Sequence, residues 1–280
     1  MNYFNTKLFS AKWLQLIRVS PQKSIQMKTF FISFFGKPIS LYEFGDASHP
    51  ALLLIHGNSA HSGFFIPMIR LLEAKYHIIT LDLPGHRQSG AWEKENFTAE
   101  NFALLFNSVL NHFNINEVDA FGFSMGGLIL LECFDLVAAI KKLAVAGHPP
   151  LSSVSDMPQA YNLNEDSSLY LQGYLSEEEV ERIYNAVIAI DDSQLKSEIK
   201  KALIETSPLF REGCLNLAQH VGNQIMRLNQ LQNPITIIHA EDDLAIQLPY
   251  LEKLQINNLW QQKIQIIFGM DYGNGILKLI

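Results

Sequence analysis

The stretch Gly122-Phe123-Ser124-Met125-Gly126 places a serine between two glycines at the junction of two apolar segments. Residues 118–121 before it are typical of a buried strand, and residues 128–131 after it have the composition of a helix interior. At such a sharp turn the serine backbone is strained, and a side chain at either glycine would collide with the neighbouring strand or helix. The motif therefore predicts a nucleophile elbow, with Ser124 at a helix N-terminus whose free N–H groups favour negative charge.

Apolar runs alternate with helical periods from Met27 onward. This alternation predicts an α/β fold, a mostly parallel eight-stranded sheet with helices on both faces. The strands are predicted near 28–35, 38–44, 51–55, 77–81, 117–122, 141–146, 234–239 and 263–268. The helices that accompany them are predicted near 62–75, 98–113, 125–137 and 247–257.

Between the sixth and seventh predicted strands the sequence becomes polar and helical. Ser176 opens a capped helix, and helical periodicity continues through 193–206 and 208–228. We therefore expect a helical cap, residues 149–232, inserted into a domain that spans 27–280. Residues 1–26 are expected to form a peripheral N-terminal extension.

Composition narrows the class of protein. The chain has 280 residues, 48% hydrophobic and 18% charged, so a globular fold is expected. Its formal charge of −7, from 21 basic and 28 acidic residues, and the absence of a basic run argue against nucleic acid or an anionic membrane as partner. Cys133 and Cys214 have neither paired nor ligand-like spacing, and no run reaches the about 18 apolar residues of a membrane span. A cytoplasmic protein without a metal is expected, and its oligomeric state is left open.

Three further segments occur in a characteristic order. The first, Leu52-Leu53-Leu54-Ile55-His56-Gly57-Asn58-Ser59, contains the exit of the third strand. Asp82-Leu83-Pro84-Gly85-His86-Arg87-Gln88-Ser89 follows the fourth strand, and His239-Ala240-Glu241-Asp242-Asp243-Leu244 begins at the end of the seventh. Together with the serine motif, these segments resemble the cap-bearing α/β-hydrolases from about Met27 to about Phe268. The resemblance implies a serine hydrolase of the esterase type that acts on a small ester or related acyl compound without a cofactor.

The resemblance also implies roles for individual residues. Ser124 is expected to be the nucleophile, and the backbone N–H groups of Asn58 and Met125 are expected to form the oxyanion hole, each worth about 3 kcal/mol of barrier. Asp243 is expected to be the acid that orients a histidine, with Asp242 as the alternative.

Other residues of the same segments are expected to be structural. The family's histidine at the position of His56 braces its loop without transferring protons, and His86 is expected to be a turn residue. Arg87 stands where the family usually has glycine, so the backbone of that loop is expected to differ.

The family's catalytic histidine should follow the eighth strand, but His239 is the last histidine of the chain. Residues 269–275, Gly-Met-Asp-Tyr-Gly-Asn-Gly, stand where the family shows Gly-His. Three hypotheses remain open. A truncation or frameshift after Phe268 is favoured, because one event would remove the histidine and the closing helix together. The alternatives are a degenerate hydrolase that binds without turnover, and substitution by His148 from the exit of the sixth strand.

Overall fold

The computed structural model describes residues 25–163, 165–185, 193–230, 235–240, 243, 245–255 and 264–269. Within these ranges eight strands form one sheet in the order β1-β2-β4-β3-β5-β6-β7-β8. The strands are β1 (Lys28–Phe34), β2 (Lys37–Phe44), β3 (Ala51–Ile55), β4 (His77–Leu81), β5 (Val118–Phe123), β6 (Ile140–Ala146), β7 (Ile235–Ala240) and β8 (Ile264–Gly269). β2 pairs antiparallel with both β1 and β4, and the remaining pairs are parallel.

Ten α-helices accompany the sheet in the part of the chain that the structure describes. They are α1 (Ile66–Leu72), α2 (Ala99–His112), α3 (Met125–Cys133), α4 (Met157–Ala160), α5 (Glu165–Ser168), α6 (Glu177–Ile183), α7 (Ser193–Glu205), α8 (Pro208–Gln219), α9 (Gln224–Gln230) and α10 (Leu248–Gln255). None of the described helices is long and apolar enough to cross a bilayer.

Both faces of the sheet are covered. Alternate residues of a strand point to opposite faces, so Leu53 and Leu54 of β3 belong to different clusters. Leu53 packs in the cluster that contains Phe106 of α2 and Leu131 of α3, whereas Leu54 packs with Ile69 of α1. The predicted α/β fold, with its mostly parallel sheet and helices on both faces, is confirmed.

Six of the described helices, α4 to α9, lie between β6 and β7. They fall within residues 149–232, where the sequence predicted a helical insertion. Ser176 begins α6 with a capping box, in which its hydroxyl accepts from the N–H of Glu179 and the Glu179 carboxylate accepts from the N–H of Ser176. The structure therefore has helices where the sequence predicted them between the sixth and seventh strands.

One predicted helix within the insertion is wrong in its length. The periodicity suggested a continuous helix over 208–228, but α8 ends at Gln219 and α9 begins only at Gln224. The N–H of Gly222 in the break donates to the Glu132 carboxylate at 3.3 Å. A tertiary contact with α3 thus replaces an intrahelical bond at a residue with poor helix propensity.

Candidate active site

Ser124 lies between the end of β5 and the start of α3. Its φ of 52° and ψ of −119° are sparsely populated for a residue with a side chain, a strain of about 1–3 kcal/mol. The Ser124 N–H donates to Ala146 O on β6 at 2.7 Å, and the Ser124 carbonyl accepts from Gly127 and Leu128. The turn therefore fixes Ser124 at the N-terminus of α3, where the helix dipole favours negative charge.

Three glycines allow the chain to pass this turn. A Cβ on Gly122 would lie 2.5 Å from Gly126 O, and one on Gly126 would lie 2.3 Å from Ile55 O. A Cβ on Gly57 would lie 3.0 Å from the Cβ of Ser124. A side chain at either glycine of the serine motif would therefore collide with neighbouring backbone, as the sequence predicted. The loop that leaves β3 packs directly against Ser124.

The two residues predicted to form an oxyanion hole lie on either side of this contact. Asn58 follows Gly57 in the loop after β3, and Met125 is the first residue of α3. The N–H groups of the first helical turn have no intrahelical partner, so the Met125 N–H is available to a ligand. Apart from its backbone N–H, each polar group of Asn58 is hydrogen-bonded within the described residues. Its carbonyl oxygen and Nδ2 bond to Tyr170, and its Oδ1 bonds to Ser59.

The histidines near this loop brace it. His56 accepts from the N–H of Leu83 through Nε2 and donates from Nδ1 to Gly57 O. His86 accepts from the N–H of Ser59 through Nε2 at 3.1 Å. Burial lowers the pKa of both imidazoles below their usual value. Both rings are therefore neutral at pH 7 and accept hydrogen bonds. This bracing agrees with the structural role expected for His56. His86, which was expected to be a turn residue, also holds the loop after β3 through Ser59.

In the loop after β4, Arg87 has a left-handed backbone conformation with a φ of 48°. Glycine adopts this conformation freely, and a residue with a side chain does so at about 1–2 kcal/mol. Asp82, at the start of the loop, accepts from the Tyr42 hydroxyl at 2.8 Å and from the Ser62 N–H at 2.9 Å. The loop is therefore tied to β2 and to the turn after β3.

Asp243 lies just beyond β7, as the sequence predicted. Its Oδ1 accepts from the N–H groups of Ala245 at 2.7 Å and Ile246 at 3.0 Å, which fixes the turn. Its Oδ2 lies 3.7 Å from Nδ1 of His239, and both side chains are buried. Asp242, the alternative acid, lies outside the described residues.

His148 leaves β6 and points to the insertion. Its Nδ1 and the Tyr161 hydroxyl are 2.5 Å apart, and burial lowers the pKa of His148 to about 4.

Among the described residues, no side chain hydrogen-bonds to the Ser124 hydroxyl. Residues 270–280, where the resemblance places the family's histidine, also lie outside the described part of the chain.

Two residues whose contacts the sequence did not predict hold the insertion against this site. Tyr170 exchanges two hydrogen bonds with Asn58, and Arg211 of α8 donates to Ser59 Oγ from Nε at 3.3 Å and Nη2 at 3.2 Å. They lie 112 and 152 residues away from their partners in the chain, so no local motif could have found them.

A cleft of about 400 Å³ opens beside this region, between the loops after β3 and β4 and helix α7. His61 and Arg87 line it from the sheet side, and Lys201 and Glu205 line it from α7. Ser124 is not part of its lining. Within the described ranges, no group of three or more His, Cys, Asp or Glu side chains is placed to hold a metal ion.

Comparisons with known proteins place the chain in a family. Residues 50–163 match the family model described as the alpha/beta hydrolase fold. The uncharacterized hydrolase YugF of Bacillus subtilis (strain 168) is 30% identical over 220 residues, which cover 72% of this chain and 76% of YugF. The chain therefore belongs to the α/β-hydrolase family.

Other similarities are shorter or more distant. The magnesium-chelatase 30 kDa subunit of Rhodobacter capsulatus is 36% identical over 88 residues, and the match spans about a third, 31%, of each chain. Among solved structures, a mutant of the N-acyl homoserine lactonase AidH, complexed with N-hexanoyl homoserine, has a TM-score of 0.76 to this chain. At 23% identity over 87% of this chain and 88% of AidH, that likeness shows the fold.

Proposed function

We propose that the protein is a serine hydrolase that cleaves a small ester or related acyl compound, with Ser124 as nucleophile. The observation that carries the proposal is the strained Ser124 turn, which packs against Gly57 at the N-terminus of α3. Backbone strain of this kind persists only where the surrounding structure enforces it, and it occurs mainly at functional sites. AidH, which shares the fold, is a lactonase, and a lactone is a cyclic ester.

In the proposed reaction the Ser124 hydroxyl oxygen attacks the acyl carbon and a tetrahedral oxyanion forms. The N–H groups of Asn58 and Met125 stabilise that oxyanion. The oxyanion then collapses to an acyl-enzyme, and the leaving oxygen takes up the proton lost by Ser124 and departs as an alcohol. Water then hydrolyses the acyl-enzyme and regenerates the serine. Asp243 is the acid that would orient a histidine base.

The base is the part of this mechanism that the described residues do not supply. None of their side chains hydrogen-bonds to the Ser124 hydroxyl, and the segment 269–280 contains no histidine. A serine without a base keeps its proton at neutral pH and is a weak nucleophile. This observation favours a second candidate function, a binding protein that uses the same fold to hold an acyl compound without turnover.

A fluorophosphonate probe tests the two candidates. If the chain is a serine hydrolase, the wild type gains one adduct on Ser124 by intact mass, and Ser124→Ala gains none. Turnover of p-nitrophenyl butyrate should be lost in the same variant, while its thermal unfolding stays within a few degrees of the wild type. An unlabelled, inactive wild type would favour the binding protein, and equal turnover by Ser124→Ala would contradict the site.

A further inference from the structure

The insertion and the loop after β3 are joined by a pair of reciprocal hydrogen bonds. The Tyr170 hydroxyl donates to Asn58 O at 2.7 Å, and Asn58 Nδ2 donates to Tyr170 O at 2.7 Å. Asn58 is 2% exposed, so water does not compete for these groups. Burial raises the pKa of Tyr170 to about 12, and its hydroxyl therefore remains a donor at neutral pH.

A second set of contacts holds the next residue. Ser59 has a left-handed φ of 53°, its N–H donates to His86, and its hydroxyl donates to Asn58 Oδ1 at 2.9 Å. The same hydroxyl accepts from Arg211, which is 1% exposed and also donates to Gly173 O and Leu203 O. Arg211 thus connects the loop to two separate segments of the insertion.

These contacts leave one polar group of Asn58 for a ligand. Tyr170 and Ser59 occupy its carbonyl, its amide nitrogen and its amide oxygen, and no described residue accepts from its backbone N–H. The Asn58 N–H lies in the planar peptide unit of Gly57 O, which His56 holds, and Tyr170 holds the next peptide unit through Asn58 O. The angle between the two units, and with it the direction of the N–H, therefore depends on where the insertion holds the loop. An oxyanion donor that is misplaced by about 1 Å can lower a rate about 100-fold.

We propose that Tyr170 is a positioning residue, which aims the Asn58 N–H through the docking of the insertion onto the loop after β3. Arg211 supports the same arrangement through Ser59. This inference rests on the proposed function, in which the Asn58 N–H stabilises the oxyanion. The insertion is then part of the catalytic apparatus, and a change that lifts it also disorders the oxyanion hole.

Tyr170→Phe is the decisive variant, because it removes the bond to Asn58 O and keeps the ring and the reverse bond. Tyr174→Phe is the matched control, since Tyr174 is 85% exposed on the same insertion. With p-nitrophenyl butyrate we expect kcat of Tyr170→Phe to fall about 10-fold, the upper limit for loss of one neutral hydrogen bond. KM should change less than about 2-fold, as expected for an interaction made in the transition state only.

An alkyl trifluoromethyl ketone, whose serine adduct carries the oxyanion, should lose affinity for Tyr170→Phe by the same factor as kcat. The product carboxylate should bind both proteins alike, and Tyr174→Phe should match the wild type in every measurement. An unchanged kcat in Tyr170→Phe, or a change in KM alone, would overturn the proposal.

Hydrogen exchange separates a failure of this inference from a failure of the proposed function. If the wild type shows no turnover and no fluorophosphonate adduct, the proposed function fails. Amide exchange in residues 57–61 then decides the positioning role. Faster exchange there in Tyr170→Phe, but not in Tyr174→Phe, would support a loop held by the insertion. Equal exchange in all three proteins would overturn it.

Discussion

The Ser124 turn depends on backbone contacts that leave no room for a side chain. Gly126 lies against the carbonyl oxygens of Ile55 and His56, so β3 and α3 meet through their backbones at this point. The same contact brings Gly57, and with it Asn58, next to Ser124. Close packing of these backbones is therefore a condition for any chemistry at the serine.

Gly126→Ala should test that condition. The new Cβ would lie 2.3 Å from Ile55 O, and we expect a loss of about 3 kcal/mol in the free energy of unfolding, the upper range for overpacking. Gly36→Ala is the control, because its φ is +70° but nothing lies within 4 Å of the added Cβ. It should lose only about 1 kcal/mol, the strain of a left-handed residue. Equal urea midpoints for the two variants would contradict the close contact.

At the scale of elements, a buried carboxylate joins the insertion to the helix that follows Ser124. Glu132 of α3 is 5% exposed and accepts from Gln224 Nε2 at 2.6 Å. Arg227 lies on the same helix as Gln224, and its Nη1 is 3.4 Å from Glu132 Oε2. Helix α9 is thereby fixed on α3, at the opposite end of α3 from the serine.

Glu132→Ala should loosen this junction. The variant leaves the Gln224 amide without its acceptor and removes the ion pair between Glu132 and Arg227. We therefore expect a loss of about 2 kcal/mol in the free energy of unfolding. This is less than the loss expected for breaking a fully buried ion pair. Limited proteolysis should then cut the break between α8 and α9 first. Glu117→Ala is the control, since the Glu117 side chain is 76% exposed and lies 3.7 Å from Lys141. That variant should change stability by less than about 0.5 kcal/mol, and a similar loss in both would argue against the junction.

The whole molecule contains several histidines that are neutral because they are buried. Burial lowers the pKa of His148 and of His61 to about 4, and it also lowers the pKa of His56 and His86. In the unfolded chain a histidine titrates near about 6.5. Between these values the unfolded state binds more protons than the folded state, so stability is complete above about pH 6.5 and declines as the pH falls toward 4.

His148→Gln should make this decline shallower. One such histidine contributes a slope of about 1.4 kcal/mol per pH unit between its two pKa values, so the variant's unfolding free energy should depend on pH less steeply by about that amount. Urea unfolding from pH 6.5 to 4.5 measures the slope independently of any constant loss of stability. His220→Gln is the control because His220 is exposed. An unchanged slope in His148→Gln would show that this histidine is not buried in neutral form.

Local sequence determined much of this architecture. Strand and helix positions follow from apolar periods of two and of three to four residues, which act over a few positions along the chain, and β3 and β4 have the predicted bounds. The Ser124 turn was predictable for the same reason, because its glycines and the segments beside it are contiguous. Asn58, Met125 and Asp243 were predicted from short segments that resemble a family, and their catalytic roles stay predictions.

Only the tertiary structure decided which distant groups meet these segments. The bond from Tyr170 to Asn58 and the contact of Arg211 with Ser59 join parts of the chain more than a hundred residues apart, and neither residue lies in a local pattern. The break between α8 and α9 and the pairing of His148 with Tyr161 likewise depend on contacts between elements. Periodicity shows which face of an element is buried, whereas the hydrogen-bond partner of a buried polar atom is set by the chain that folds against it.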